Sequence, residues 1–493
     1  MNEKYILAID AGTTSSRSVL FNNQGKQIAI SQYEFEQFFP SKGWVEHDPE
    51  EIWETQLKSI KEVIDIAKIN PEDIDSIGIT NQRETTVMWN KTTGKPVYNA
   101  IVWQDRRTAS ICERLITEDP SCKELFQEKT GLILDAYFSG TKIKWILDNV
   151  PNIRDLANNN NLAFGTIDTW LIWKLTNGKH HVTDSTNASR TLLFNIHQLN
   201  WDHELLRLLE VPLSILPNIC ESSEIIGETN IFDHKIRISG IAGDQQAALF
   251  GQLCFNPGDV KNTYGTGCFC IMNTGENPVK SKNKMLTTIA YQLNGKTTYA
   301  IEGSVFVAGA LIQWLRDKLG IINNASEIEA LANTEKDSGG VTFIPSLSGL
   351  AAPYWDPYAT GNIMGITRDT TKGHIARAAL EAISLRCKEI VLAMEKDSNT
   401  KFNNLKVDGG ASNNDLLMQI QANILQSNVI RPKTTETTAL GAAFLAGLAT
   451  GFFKNTEAIE SIWEKDKLFK PIKNSSTEEI NNLWNKRINQ IIN

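Results

Sequence analysis

The stretch Asp10-Ala11-Gly12-Thr13-Thr14-Ser15-Ser16-Arg17 gathers a carboxylate, a glycine, four hydroxyls and a guanidinium into eight residues. A turn of that composition offers backbone N–H and side-chain O–H donors to phosphate oxygens. Asp10, at the end of an expected strand, is of the kind that holds Mg²⁺ directly or through water. The same residues would also make a plain hairpin turn. Tyr264-Gly265-Thr266-Gly267 is a second such turn. Asp408-Gly409-Gly410-Ala411-Ser412-Asn413-Asn414 is a third, where a strand runs through two glycines to a helix start and a nucleotide can approach the backbone. Any one of them has a bland reading. Three in one chain, two at matching places of a repeated pattern, point to a nucleotide.

A different set of residues suits a small hydroxylated acceptor. In Asn81-Gln82-Arg83-Glu84-Thr85, Arg83 is a rigid donor fork and Glu84 an acceptor, a pair able to hold neighbouring hydroxyls. The alternative is a surface ion pair. In Gly243-Asp244-Gln245-Gln246, Asp244 could take the proton of an attacking hydroxyl, or merely brace a turn. Gly243 is expected to let the chain turn sharply, and Gln245 to hold the acceptor. Trp103 and Tyr137 are candidate walls, although aromatic residues also simply fill cores.

Other phosphate and hydrolase chemistries are excluded by their missing motifs. The chain has no G-x-x-x-x-G-K-[ST], and Gly265-Thr266-Gly267 runs on to Cys270 rather than completing G-x-G-x-x-G. Protein-kinase catalytic-loop and D-F-G motifs, H-E-x-x-H and G-x-S-x-G are absent as well. Phosphates must then be handled by paired turns.

The elements that carry these turns repeat. Strands are expected at 6–10, 17–21 and 27–33. A helix follows, with Asp48 as cap, Pro49 at its first position and Glu51 completing a capping box. Its apolar positions Ile52, Leu57, Ile60, Val63, Ile64 and Ala67 keep helical spacing. A short strand covers 76–80, and another, 236–241, leads to Gly243. The second half reopens with strands at 260–264, 268–273, 286–292 and 298–301. Helices are expected at 303–319, 374–396, 413–426 and 439–450, with a strand at 405–408.

At 493 residues the chain exceeds one core, so two domains are expected, 1–250 and 251–493, parted near Asn256-Pro257-Gly258. A net charge of −8 without a Lys/Arg block disfavours nucleic acid and anionic membranes. The apolar residues 5–9 are too few for a signal peptide. The apolar run 439–453, with three glycines, falls short of a membrane span and reads as a buried helix. Seven scattered cysteines without C-x-x-C read as buried thiols of a cytoplasmic protein.

Two long stretches carry a resemblance. One is Tyr137-Phe138-Ser139-Gly140-Thr141-Lys142-Ile143-Lys144-Trp145-Ile146-Leu147-Asp148-Asn149. The other is Gly361-Asn362-Ile363-Met364-Gly365-Ile366 with His374-Ile375 and Ala378-Ala379-Leu380-Glu381. In these the chain resembles the FGGY carbohydrate kinases. The segments 10–17, 81–86, 103–107, 184–191, 241–251 and 264–269 draw it toward the branch acting on glycerol. Pentulose-specific members usually carry Gly-Gln-Met-His where this chain has Asn81-Gln82-Arg83-Glu84.

The resemblance implies an α/β fold of two RNase H-like, actin-like ATPase domains with the active site in the interdomain cleft. It implies ATP and Mg²⁺ as cofactors, glycerol and ATP/ADP as partners, and a homodimer or homotetramer. It places Thr13, Thr14, Ser15 and Arg17 on the nucleotide phosphates, with Thr266, Gly309, Gln313, Gly410 and Asn414 completing that site. It places Arg83, Glu84, Tyr137, Asp244 and Gln245 on glycerol, Trp103 and Phe269 on its carbon chain, Asp244 as base and Asp10 beside Mg²⁺. One stretch departs from the pattern. Relatives inhibited by fructose 1,6-bisphosphate carry Gly-Gly-x-Arg where this chain has Ile231-Phe232-Asp233-His234-Lys235-Ile236-Arg237, and the role of His234 is left open. The alternatives are a related kinase acting on a pentulose or sugar acid, and an actin- or Hsp70-like ATPase that phosphorylates no metabolite.

Overall fold

A computed structural model describes residues 3–491 apart from 351, 355, 357 and 474. Two large sheets organise it. The first is six-stranded and uses β1 (Tyr5–Ala11), β2 (Ser15–Asn22), β3 (Gln27–Glu34), β4 (Ile74–Asn81), β5 (Ser223–Thr229) and β6 (Ile236–Gly243) in the order β5-β6-β4-β1-β2-β3. The second is seven-stranded and uses β7 (Val260–Tyr264), β8 (Cys268–Gly275), β9 (Leu286–Leu293), β10 (Lys296–Val305), β11 (Leu405–Asp408), β12 (Val429–Pro432) and β13 (Lys465–Phe469) in the order β9-β10-β8-β7-β11-β12-β13.

The sheets repeat one plan. β1 pairs antiparallel with β2 and parallel with β4, and β4 pairs parallel with β6. Likewise β7 pairs antiparallel with β8 and parallel with β11, and β11 pairs parallel with β12. The β1–β2 and β7–β8 turns therefore occupy equivalent places. Ile6–Ile9 and Ile77–Ile79 are fully buried because helices cover both faces of the first sheet, which is why these strands read as continuous apolar runs rather than alternating ones.

Five helices matter to the site: α1 (Pro49–Ala67), α2 (Asp244–Gly251), α3 (Gly309–Asp317), α4 (Asp415–Leu425) and α5 (Thr437–Thr450). In α1 the Asp48 side chain accepts from the Glu50 N–H. The expected capping box does not form, because Glu51 turns away to accept from the backbone N–H of Glu36. The helix expected from residue 303 begins only at Gly309, since Gly303 still pairs with Cys270 in the sheet.

Helices α2 and α5 cross between the sheets. α5 is apolar nearly all round and packs on β1, β4 and β6 of the first sheet, as a helix with no polar face must. α2 packs on β7, β8 and β9 of the second. Their backbones touch. A Cβ on Gly441 would lie 1.8 Å from the Ala247 carbonyl oxygen, and one on Gly251 would lie 2.1 Å from that of Thr437. Among the described residues no helix is long and apolar enough to cross a membrane.

Candidate active site

Asp244 is the first residue of α2, directly after β6. The sharp turn expected at Gly243 is absent: its φ of −58° and ψ of 150° suit any residue. Glycine is needed there for space, since a Cβ would come 2.7 Å from Cγ and Cδ of Arg83. Arg83 uses that space to reach Asp244 Oδ1 with Nε at 3.1 Å. Its other end forks onto Glu302, with Nη1 donating to Oε2 at 2.5 Å and Nη2 to Oε1 at 3.0 Å. Gln245 donates from Nε2 to Asp244 Oδ2 at 3.2 Å, while its Oε1 accepts from the Lys261 ammonium. An ammonium only donates, so Lys261 fixes which way the Gln245 amide points.

Glu84 accepts from Arg190 Nε at 2.6 Å. Burial pushes its carboxyl pKa up, with Arg190 and Arg83 opposing. Burial would also raise Glu302, but Arg190 and Arg83 overcome it and hold that carboxyl at about 2. The Asp244 side chain is 32% exposed, against 2% for Arg83. Trp103, half-buried, stands edge-on to Tyr137 at 5.7 Å and to Phe269 at 6.4 Å. Its indole Nε1 donates to Thr13 Oγ1 at 3.1 Å, which ties the aromatic wall to the first turn.

The turns themselves are made mostly of backbone. Thr14 and Thr266 are exposed, and Ser15 is buried under Gln32, which donates to its Oγ at 2.8 Å. Gly309 N–H donates to Gly265 O at 3.0 Å, and Ala308 and Ala310 N–H donate to Thr266 O at 2.9 and 3.0 Å. That approach needs a glycine, because a Cβ on Gly309 would meet Gly265 O at 2.5 Å. Gly409, at φ +82°, lies against Tyr264 in the same way and brings the third turn to the second. Gly410 is exposed with open space around it. Gln313 is exposed on α3. Asn414 caps α4, its Oδ1 accepting from Leu417 N–H at 2.8 Å.

Arg17 pairs with Asp10 at 3.4 Å and with Glu436 from the second half of the chain. Burial pushes the Asp10 carboxyl up to about 6; Glu436 and Asp244 add to this and Arg17 opposes it. Among the described residues no group of three or more His, Cys, Asp or Glu is placed to hold a metal. Mg²⁺ in phosphoryl-transfer sites takes one or two carboxylates plus phosphates and waters. Asp10 is buried, and its pair with Arg17 does not offset the raising effects of burial, Glu436 and Asp244, so a cation fits beside it.

Residues 5–251 match the model of the FGGY family of carbohydrate kinases, N-terminal domain, and residues 260–450 match its C-terminal domain. The chain belongs to the FGGY family of carbohydrate kinases. It is 57% identical over 478 residues to glycerol kinase 2 of Thermotoga maritima, covering 97% of this chain and 96% of that protein. It is 56% identical over 490 residues to a glycerol kinase of Deinococcus radiodurans, covering 98% and 97%. The crystal structure of Plasmodium falciparum glycerol kinase with ADP superposes with a TM-score of 0.92 at 36% identity, over 99% of this chain and 98% of that one. A xylulose kinase from Lactobacillus acidophilus, at TM-score 0.88 and 24% identity over 99% and 98%, shares the fold.

In this FGGY chain the structure adds three charged residues that sequence reasoning missed: Arg190, Lys261 and Glu302. All three are fully buried. Lys261 and Glu302 come from β7 and β10 of the second sheet, yet they hold Gln245 and Arg83 of the first half. Their signal was present: Lys261 is the only charge in β7, and Glu302 the only charge in the interior of β10. Such a residue is rarely buried unless paired.

Proposed function

We propose that this chain transfers the γ-phosphoryl group of ATP to a hydroxyl of glycerol. One observation carries the reading: Asp244 is held by the buried Arg83 yet leaves 32% of its side chain exposed. The near-full-length identity to glycerol kinases supports it. The attacking hydroxyl gives its proton to Asp244 as its oxygen bonds to the γ-phosphorus, and the bond to the bridging oxygen breaks to leave ADP. Arg83 and Glu84 meet the other hydroxyls. A three-carbon triol has little area to bury, so its hydroxyls must be satisfied individually. Trp103, Tyr137 and Phe269 pack on its carbons. Thr13, Thr14, Ser15, Arg17, Thr266, Gly309, Gln313, Gly410 and Asn414 surround the nucleotide. Mg²⁺, held at Asp10, would neutralise phosphate oxygens. Closing the cleft excludes water, the competing acceptor.

The free state of all seven cysteines suits a reducing cytoplasm, where we place the reaction. A coupled assay of ADP release tests the proposal. Release should depend on both Mg²⁺ and glycerol, with a phosphorylated glycerol recovered in equal amount. ADP release indifferent to every polyol and sugar tried would mark the chain as an ATPase instead.

A further inference from the structure

The acceptor corner contains a closed ring of charges. Arg83 forks onto both oxygens of Glu302. Arg190 Nη2 donates to Glu302 Oε1 at 3.3 Å, and Arg190 Nε donates to Glu84 Oε1 at 2.6 Å. Glu84 closes the ring, with Oε1 lying 4.0 Å from Arg83 Nε. Within the ring two guanidiniums face two carboxylates, so removing Glu302 or Arg190 strands a buried charge. Glu84 is also held in a left-handed backbone conformation, φ 61°, which non-glycine residues seldom adopt. Its carbonyl is pinned there by the Ser139 hydroxyl at 2.9 Å. Strain of that kind persists only where the surroundings over-determine it.

We propose that Glu302 and Arg190 are positioning residues for the acceptor, and that the ring they close with Arg83 and Glu84 sets which polyol the corner accepts. The inference rests on the reading of glycerol as acceptor and deepens it. Both side chains are wholly unexposed and hydrogen-bond to Arg83 and Glu84, through which they act. Glu302 fixes the plane of Arg83 from one end while Asp244 fixes it from the other. Arg190 fixes Glu84, and its own Cζ lies 5.2 Å from the centroid of the Phe138 ring. Glu302 sits in β10, paired with Ile271 and Leu286 of the second sheet. Acceptor recognition in the first half is therefore anchored to a strand of the second. Displacing that strand relative to β4 would pull on Arg83, so how the acceptor is held depends on how the two sheets sit.

Glu302→Gln keeps the shape and removes the charge, and Arg190→Lys keeps the charge and removes the fork. For each variant kcat, KM for glycerol, KM for ATP, melting temperature and the kcat/KM ratio of glycerol to 1,2-propanediol are measured beside the wild type. Both variants should raise KM for glycerol at least about tenfold, leave KM for ATP within about twofold, and lower the glycerol preference at least about fivefold, because a hydroxyl-reading site discriminates only while its donors are held in place. A lower melting temperature with unchanged KM for glycerol would overturn the proposal, and so would equal rises in both KM values. If Glu302→Gln does not fold, Arg190→Lys decides by the same criteria. Failure of both to fold would assign the ring to the core and also overturn it. A wild type that does not turn over glycerol would instead defeat the reading on which the inference rests.

Discussion

The corner around Arg83 and the turns around Gly265 are built from opposite materials. The acceptor corner is largely buried and made of charged and amide side chains that partner one another: Arg83 with Glu302 and Asp244, Glu84 with Arg190, Gln245 with Lys261. The nucleotide corner is open and made of backbone, glycines and small hydroxyls, with Thr14, Thr266 and Gly410 exposed. In the acceptor corner the carboxyls shift both ways, Glu302 held at about 2 by its arginines and Glu84 raised by burial, while Asp10 beside the first turn is pushed up to about 6 by burial. The difference follows from the two substrates. A phosphate chain brings several charges and can be met by N–H dipoles and a cation. A neutral triol brings none, so the protein supplies a rigid polar frame whose own charges must already be balanced.

The contrast can be broken first at Asp244. Asp244→Asn keeps the shape and removes the proton acceptor. It should cut kcat by about 10²–10⁴ with much smaller change in ATP binding. A folded variant keeping more than about a tenth of wild-type kcat would mean that Asp244 only braces the junction of β6 and α2. Glu84→Ala should act on the same corner differently, raising KM for glycerol by at least as large a factor as it lowers kcat. A loss confined to kcat would count against a ground-state hydroxyl contact.

The nucleotide corner should answer to backbone rather than charge. Gly309→Ala forces a methyl against the Gly265 carbonyl, which it would approach at 2.5 Å. The expected result is a rise of about tenfold in KM for ATP, with KM for glycerol unchanged. Steady-state kinetics with each substrate varied in turn checks both, and a rise on the glycerol side alone would blur the division.

The smallest effect concerns pH. The folded pKa of Asp10, about 6, lies above its ordinary value of 3.8. A raised carboxyl favours the folded state at acid pH, fully so below the unfolded value, and that contribution is lost as pH rises through about 6. In metal-free protein, Asp10→Asn should then match the wild type near pH 4. By pH 7.5 it should be more stable, by at most about 3 kcal/mol. Thermal melts across that range check it, and a gap that does not change with pH would refute the burial argument.

The same two corners explain what could be read from sequence. The nucleotide turns are local: strand, glycine and hydroxyl lie within a few residues. Accordingly the strands Val260–Tyr264 and Leu405–Asp408 fall where the pattern puts them. Repetition of one plan in both sheets was legible for the same reason. The frame of the acceptor corner is long-range, with 219 residues separating Arg83 from Glu302. Sequence reasoning named Arg83, Glu84 and Asp244 but could not balance their charges. The role of Gly243 was missed for a related reason. Its need is set by Arg83 pressing from another strand, not by its own φ. The helix expected over 303–319 starts six residues later because Gly303 pairs with Cys270 in the sheet, a long-range contact that local spacing does not show.

The buried frame around Arg83 should select the acceptor. The most direct test is kcat/KM of the wild type for glycerol against xylulose and gluconate, each at saturating Mg²⁺-ATP. A frame built around the hydroxyls of one triol should favour glycerol at least about a hundredfold. Equal turnover of xylulose would contradict the account.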